Sequence, residues 1–264
     1  MAPLPYHDAF LGKPLLQCKG CAHIQLSESP SGEIIRQYYA GAYAENRNAF
    51  VGPAYFEVMR KRAIAQRKLI EQFVPLKGKR VCDVGCGFGS FLEEVKPLAS
   101  KAFGLDYDDT SIAHCRKLGL DVRKIENETE IDFTNEPVDI ITLSHVVEHL
   151  NELEKTMARI RKCASYVFIE VPGYRADLSA QFADQEGHIN FFNVASLRRL
   201  TERLGFNILY LHEAGPSLDV YWSEGQWQGF YKRIVRRITH DWFFDQYEKE
   251  RVGGIWIRAV LKSA

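Results

Sequence analysis

The segment that decides the fold reads Val81-Cys82-Asp83-Val84-Gly85-Cys86-Gly87-Phe88-Gly89. An apolar run ends at Val84, and glycines then occupy every second position. Because glycine has no Cβ, this spacing permits a sharp turn and a close approach of the backbone to a ligand. A helix that starts after the turn presents unpaired N–H groups to an anion. The segment therefore predicts a strand, a ligand-binding turn and a helix, in that order.

Strand-length and helix-length segments alternate downstream of this turn. The apolar runs predict strands over 80–84, 102–106, 122–125, 138–143, 166–171, 206–212 and 254–261. Between them, helices are expected near 89–97, 109–118, 151–163 and 194–204, with Asn151 and Glu154 as a capping box for the third. This alternation predicts an α/β fold, in which a Rossmann-like, mostly parallel sheet of seven strands carries helices on both faces.

The N-terminal part has a different pattern. Residues 1–30 contain four prolines and no periodicity, so they are expected to be irregular, and residues 54–74 predict a long amphipathic helix. We divide the chain into an N-terminal segment over 1–76 and a domain over 77–264. Within that domain, an aromatic and basic insertion is expected near 214–250.

Composition excludes several classes of protein. The chain has 264 residues with 34 Lys and Arg against 34 Asp and Glu, so it lacks the broad basic surface of a nucleic-acid binder. No apolar run reaches the ~18 residues of a membrane span, and the first residues do not resemble a secretory signal. Six cysteines in a chain of this length indicate reduced thiols, which predicts a cytoplasmic protein.

The glycine spacing also separates two kinds of cofactor. The dinucleotide fingerprint needs a further glycine or alanine, but Ser90 and Leu92 stand at the two possible positions. A nicotinamide-dependent dehydrogenase is therefore the less favoured alternative. Asp106 ends the next predicted strand, roughly 20 residues beyond the glycines, where a carboxylate can accept hydrogen bonds from ribose hydroxyls.

Taken in order, these motifs resemble the class I S-adenosylmethionine-dependent methyltransferases. The resemblance covers roughly residues 78–213 and includes the strand motif 138–150 and the run 186–192. It implies S-adenosylmethionine as cofactor and an antiparallel final strand. The residues at matching positions are Asp83, Gly85, Cys86, Gly87, Asp106, Tyr107, Glu126, Asn127 and Ser144, which we predict to bind the cofactor. For Glu126 and Asn127, a solvated loop is an equally good interpretation.

The N-terminal segment resembles that of bacterial sugar methyltransferases, on the run Leu15–Leu26 and the tyrosines 38, 39 and 43. This subgroup carries a small zinc-binding module with two cysteine pairs, whereas this chain has only Cys18 and Cys21. Because structural zinc needs about four ligands, we predict no metal site. The expected acceptor is a small molecule, such as a sugar, a sugar nucleotide or a phosphorylated sugar, and the N-terminal helices are expected to cover the cofactor cleft.

Two histidines are candidates for acid–base chemistry. The resemblance implies that His188 lies in the cleft and deprotonates the acceptor, and an imidazole accepts a proton near neutral pH. His145 follows the strand 138–143 at the sheet edge where ligands bind, and it is the second candidate. Roles as loop or capping residues stay open for both. A non-catalytic binding module on the same fold is the alternative function.

Overall fold

The computed structural model describes residues 1–7, 12–40, 51–134, 136–177, 187–217, 250 and 253–263. In chain order its strands are β1 (Ala2–His7), β2 (Pro14–Gln17), β3 (Ile24–Leu26), β4 (Arg80–Val84), β5 (Lys101–Asp106), β6 (Asp121–Lys124), β7 (Val138–Ser144), β8 (Ala164–Pro172), β9 (Asn190–Phe191), β10 (Phe206–Ser217) and β11 (Gly254–Ser263). The helices are α1 (Gly32–Ala40), α2 (Pro53–Glu71), α3 (Ser90–Val95), α4 (Asp109–Lys117), α5 (Leu153–Cys163) and α6 (Val194–Arg203).

The central sheet has seven strands in the order β10-β11-β8-β7-β4-β5-β6. Strands β6, β5, β4, β7 and β8 run parallel, and β11 enters antiparallel between β8 and β10. The predicted Rossmann-like α/β fold is confirmed. The strand order reverses between β4 and β7, and the carboxyl ends of β4, β5 and β7 therefore meet at one edge of the sheet.

Polar side chains cap the N-termini of α4 and α6. Asp108 starts α4 by accepting hydrogen bonds from the backbone N–H groups of Thr110 and Ser111. Asn193 and Ser196 form a reciprocal capping box at the start of α6. Each cap satisfies N–H groups that a helix leaves unpaired at its first turn.

The capping box predicted at Asn151 and Glu154 is wrong. Helix α5 begins at Leu153, and its N-cap residue Glu152 makes no side-chain capping bond. The backbone N–H of Glu152 donates instead to Glu128 Oε1 at 2.6 Å. A carboxylate from an earlier loop thus takes the place of a local cap, which short-range spacing does not reveal.

The expectation of an irregular segment over 1–30 is also wrong. Strands β1, β2 and β3 form a second, antiparallel sheet, which β9 completes from far along the chain. Leu15, Ile24 and Leu26 are buried in its small core. The strands are short, and β1 and β2 contain prolines, so their pairing depends on contacts that the local pattern of apolar residues does not reveal.

The main core lies between the central sheet and its helices. Residues such as Phe103, Ile141 and Val167 are fully buried on the sheet. Helix α2 adds Ala63 and Ile70 to a separate cluster with Val81. No helix in the described ranges combines the length and the apolar character that a membrane crossing requires.

Candidate active site

A cleft of about 540 Å³ opens at the carboxyl ends of β4, β5 and β7, and helix α2 forms one of its walls. Open α/β sheets bind ligands at this edge, beside the point where the strand order reverses. Every residue that the sequence predicts to bind the cofactor lines the cleft: Asp83, Gly85, Cys86, Gly87, Asp106, Tyr107, Glu126, Asn127 and Ser144. The fold thus brings them together, and their individual contacts to a cofactor stay predictions.

The turn after β4 requires glycine at its first position. Gly85 has φ +69°, and a Cβ built there would lie 2.5 Å from Val146 Cγ2. The N–H groups of Gly85 and Cys86 both donate to the Leu105 carbonyl, at 2.8 and 3.1 Å. The turn is therefore held against the end of β5, and Cys86 is buried beneath it.

Asp106 connects the turn to the end of β5. Its Oδ2 accepts a hydrogen bond from the Gly87 N–H at 2.7 Å, and its Oδ1 accepts one from the Asp108 N–H at 2.9 Å. These two bonds fix the orientation of the carboxylate at the wall of the cleft. A carboxylate oxygen can accept more than one hydrogen bond, so these two bonds are compatible with a role in binding ribose hydroxyls.

Asp83 lies deeper, beneath the glycine turn. Its Oδ1 accepts a hydrogen bond from the Thr142 hydroxyl at 2.6 Å. Burial raises the pKa of Asp83 to about 7, although the Thr142 hydrogen bond opposes that shift. The carboxyl group therefore titrates near neutral pH in the unliganded protein, and a bound cation would favour its ionised form.

A polar network that sequence reasoning missed joins α2 to the sheet. Arg62 and Gln66 of α2 both donate to the Ser144 hydroxyl, at 2.6 and 2.8 Å. Both also donate to the Glu170 carboxylate of β8, which is fully buried. Arg62 and Gln66 line the cleft, so this network places a guanidinium group in its wall. The helical spacing of α2 predicted its apolar face but not these partners.

The outer wall is formed by Tyr107, Glu126 and Asn127. Asn127 accepts a hydrogen bond from the Thr129 N–H at 3.0 Å, so it caps the short helical turn that follows. Glu126 and Asn127 are both exposed, while Tyr107 is half-buried. Burial raises the pKa of the Tyr107 phenol, which therefore stays protonated.

His145 lines the cleft in a left-handed backbone conformation, with φ +56°, that non-glycine residues rarely adopt. Its Nδ1 lies 3.3 Å from Glu148 Oε1. Its Nε2 lies 3.8 Å from Glu170 Oε1 and is buried. The ring is in the wall, but both nitrogens point towards carboxylates rather than into the cleft.

His188 does not lie where the sequence predicts. It is buried, and it is not among the residues that line the cleft. Its Nδ1 lies 2.6 Å from the Tyr174 hydroxyl, and its ring packs 4.6 Å from that of His149, which does line the cleft. Burial lowers the pKa of His188 to about 3. Packing against Tyr174 and Phe191 explains the difference, because these aromatic contacts hold the imidazole behind the wall.

The cysteine pair lies in the turn between β2 and β3. The Cys18 N–H donates to the His23 carbonyl, and the Ala22 N–H donates to the Cys18 carbonyl. These two hydrogen bonds close the turn. Within the described ranges, the one group of three or more potential metal ligands is elsewhere, at Glu148, His149 and His188. Sequence reasoning missed this group because His188 belongs to a different segment. The aromatic and basic insertion near 214–250 falls largely on residues 218–249, outside the described ranges.

A glycine turn follows the first parallel strand, and a carboxylate stands at the end of the next strand. Both face a cleft where the strand order reverses. This arrangement is typical of the class of Rossmann-like domains that bind nucleoside cofactors. Comparison with known proteins identifies the family. Residues 55–211 match the family described as "Methyltransferase domain". The chain therefore belongs to this family of methyltransferase domains, and its cofactor is S-adenosylmethionine.

Individual relatives share part of the chain. A ubiquinone biosynthesis O-methyltransferase of Methylococcus capsulatus is 29% identical over 103 residues, which are 37% of this chain and 44% of the relative. A probable S-adenosylmethionine-dependent methyltransferase of Mycolicibacterium smegmatis is 26% identical over 137 residues, 50% of this chain and 53% of the relative. The chain thus spans about half the length of the curated relatives it matches.

The fold also resembles solved structures. Magnesium protoporphyrin IX methyltransferase from Synechocystis PCC 6803, solved with bound S-adenosylhomocysteine, superposes with a TM-score of 0.57 at 11% identity. The match covers 88% of this chain and 99% of the other. At this identity the likeness concerns the fold.

Proposed function

We propose that this chain transfers the methyl group of S-adenosylmethionine to a hydroxyl oxygen of a small-molecule acceptor. One observation carries the proposal. The cleft brings together all the predicted cofactor-binding residues, and Asp106 is held at its wall by two backbone N–H groups. Relatives named as O-methyltransferases support oxygen as the accepting atom.

The charges of the cleft match those of the cofactor. Asp83 and Asp106 suit its cationic sulfonium and amino groups and its ribose hydroxyls, and Arg62 offers a cation to its carboxylate. We therefore place the ribose at Asp106 and the amino-acid part beneath α2, beside Arg62.

The reaction needs little from the protein beyond alignment. A bond forms between the acceptor oxygen and the methyl carbon as the carbon–sulfur bond breaks, which leaves neutral S-adenosylhomocysteine and releases the acceptor proton. Positioning the two reactants can supply several kcal/mol, up to ~7–11 in ideal cases. A base role for His145 stays a prediction that requires its ring to turn, because Nε2 is buried in this structure.

The acceptor class is a finer proposal. The resemblance found in the sequence predicts a sugar or sugar nucleotide, whereas the Methylococcus capsulatus relative is named for ubiquinone biosynthesis. The basic part of the predicted insertion, which could meet a phosphate, falls outside the described residues. We therefore propose only the hydroxyl group that both kinds of acceptor share. The experiment below compares a catechol, which is an aromatic diol, with a sugar as the acceptor.

A radiolabelled methyl donor tests the proposal. The protein is incubated with methyl-labelled S-adenosylmethionine in three separate reactions. Each reaction contains one acceptor: a catechol, a nucleoside diphosphate sugar or a primary amine. We expect label in a hydroxyl acceptor and equimolar S-adenosylhomocysteine, both reduced in Asp106→Asn. Binding of S-adenosylmethionine without label in any acceptor would instead support the non-catalytic alternative, and transfer to the amine alone would contradict an oxygen acceptor.

A further inference from the structure

Three potential metal ligands converge behind the wall of the cleft. One ligand atom from each of Glu148, His149 and His188 lies within 4.8 Å of the other two. Glu148 is fully buried and His188 is 6% exposed. Glu148 and His149 come from the short helical turn after β7, and His188 comes from the segment before β9. The Ile189 N–H donates to the Glu148 carbonyl at 3.0 Å, and this bond holds the two segments together.

The carboxylate of Glu148 is the observation that calls for a cation. Neither of its oxygens has a hydrogen-bond partner among the described residues, although both are buried. His145 Nδ1 lies 3.3 Å from Oε1, so this imidazole can form an ion pair with the carboxylate when it is protonated. A buried carboxylate that makes no hydrogen bond is costly, and buried charges in proteins are paired or coordinate metals.

The Nδ1 atom of each of the two imidazoles has a polar partner, as is common for metal-binding histidines. His149 Nδ1 donates to the Gly187 carbonyl at 2.8 Å, so its Nε2 carries the lone pair. His188 Nδ1 lies 2.6 Å from the Tyr174 hydroxyl, which can accept a hydrogen bond from its N–H. Partners of this kind on the second ring nitrogen fix the tautomer of metal-binding histidines.

We propose that Glu148, His149 and His188 bind a divalent transition-metal ion. Two imidazoles and one carboxylate form a donor set that suits zinc, with a further position for water or another ligand. His149 lines the cleft, so the ion would lie at the boundary between cleft and core. One consequence rests on the proposed function: an acceptor hydroxyl that reached the ion would lose its proton more readily.

Zinc and cobalt binding by the full chain test the site without any methyl transfer. The protein used in these titrations is prepared without metal and carries Cys18→Ser and Cys21→Ser, so that the cysteine pair cannot contribute to metal binding. We expect one zinc per chain after dialysis. With cobalt, we expect visible d–d bands and no thiolate charge-transfer band. Glu148→Gln and His188→Gln should each weaken zinc binding at least tenfold, and Tyr174→Phe should weaken it by about 10- to 100-fold.

His212→Gln is the matched control, because His212 is an exposed histidine on β10. It should leave zinc binding unchanged, and circular dichroism should show that each variant is folded. Retention of zinc by Glu148→Gln and His188→Gln at the parent affinity would overturn the proposal. If those variants do not fold, failure of the folded Cys-to-Ser protein to hold zinc or to give cobalt bands overturns it. Calorimetry with S-adenosylhomocysteine, run separately, distinguishes this result from a failure of the proposed function.

Discussion

At the scale of single residues, Asp106 offers the most direct test of the cofactor site. Asp106→Asn removes the charge while preserving the size of the side chain. Losing charged hydrogen bonds costs roughly 1.5–3 kcal/mol, so the dissociation constant of S-adenosylmethionine should rise by about one to two decades. Isothermal titration calorimetry measures the change.

Asp121→Asn is the control for this prediction, because Asp121 is exposed at the start of β6 and does not line the cleft. It should bind the cofactor as the parent protein does. An unchanged affinity in Asp106→Asn would show that other groups hold the ribose, and a melting temperature close to that of the parent excludes unfolding as the cause.

Asp83 makes stability depend on pH. Burial raises its pKa from 3.8 to about 7, so between these values the folded state keeps a proton that the unfolded state has lost. The contribution of Asp83 to the free energy of unfolding therefore falls as pH rises, by about 1.4 kcal/mol per pH unit, and levels off above the folded pKa. Asp83→Asn removes this dependence and can still accept from Thr142.

Urea denaturation of the parent and of Asp83→Asn, at several pH values from about 5 to 8, checks this prediction. The variant should gain stability relative to the parent as pH rises to about 7, and the difference should then stay constant. Parallel pH curves for the two proteins would show that Asp83 is already ionised at about pH 5.

At the scale of elements, the turn between β4 and α3 depends on the absence of a side chain at Gly85. Gly85→Ala places a methyl group 2.5 Å from Val146 Cγ2, at φ +69°. A non-glycine residue in this region costs about 1–2 kcal/mol, and the overlap adds about 1–3 kcal/mol. The turn must shift, so the affinity for S-adenosylhomocysteine should also fall.

Gly78→Ala separates the conformational cost from the cost of steric overlap. Gly78 also has a positive φ, +75°, but nothing lies within 4 Å of a Cβ built there. It should lose only the conformational part and keep its cofactor affinity. The double variant Gly85→Ala/Val146→Ala should recover part of the stability lost in Gly85→Ala. Equal losses in Gly78→Ala and Gly85→Ala, measured by urea denaturation, would contradict the steric argument.

At the scale of the whole molecule, a buried carboxylate joins α2, which forms one wall of the cleft, to the central sheet. Glu170 of β8 accepts from Arg62 Nε of α2 at 2.8 Å and from Arg258 Nε of β11 at 2.7 Å. Glu170→Ala leaves buried guanidinium charge without this partner, and such a loss typically costs about 3–5 kcal/mol. The free energy of unfolding should fall by that amount.

Glu152→Ala is the comparison, since Glu152 pairs with Lys155, whose side chain is 72% exposed. Exposed pairs contribute about 0–1 kcal/mol, so this variant should unfold close to the parent. Urea titration of both variants decides the matter. A loss below about 1 kcal/mol in Glu170→Ala would mean that water replaces the carboxylate and that α2 is held mainly by apolar packing.

The sequence by itself determined the central architecture and the residues that line the wall of the cleft. Alternating apolar runs and helix-length segments predicted the strands of the main sheet. This was possible because the spacing of apolar residues in a strand or helix is visible among residues that are neighbours in the sequence. The glycines at 85 and 87 and the acid at 106 predicted the cleft, since parallel strands bring their carboxyl ends to one edge of a sheet.

Only the tertiary structure decided the rest. The sheet of β1, β2, β3 and β9, the burial of His188 behind His149, and the position of Glu170 between α2 and β11 all join segments far apart in the chain. Periodicity records which face of an element is apolar, but it holds no information about which distant residue packs there. The polar groups behind the cleft acquire their partners only when those segments pack together.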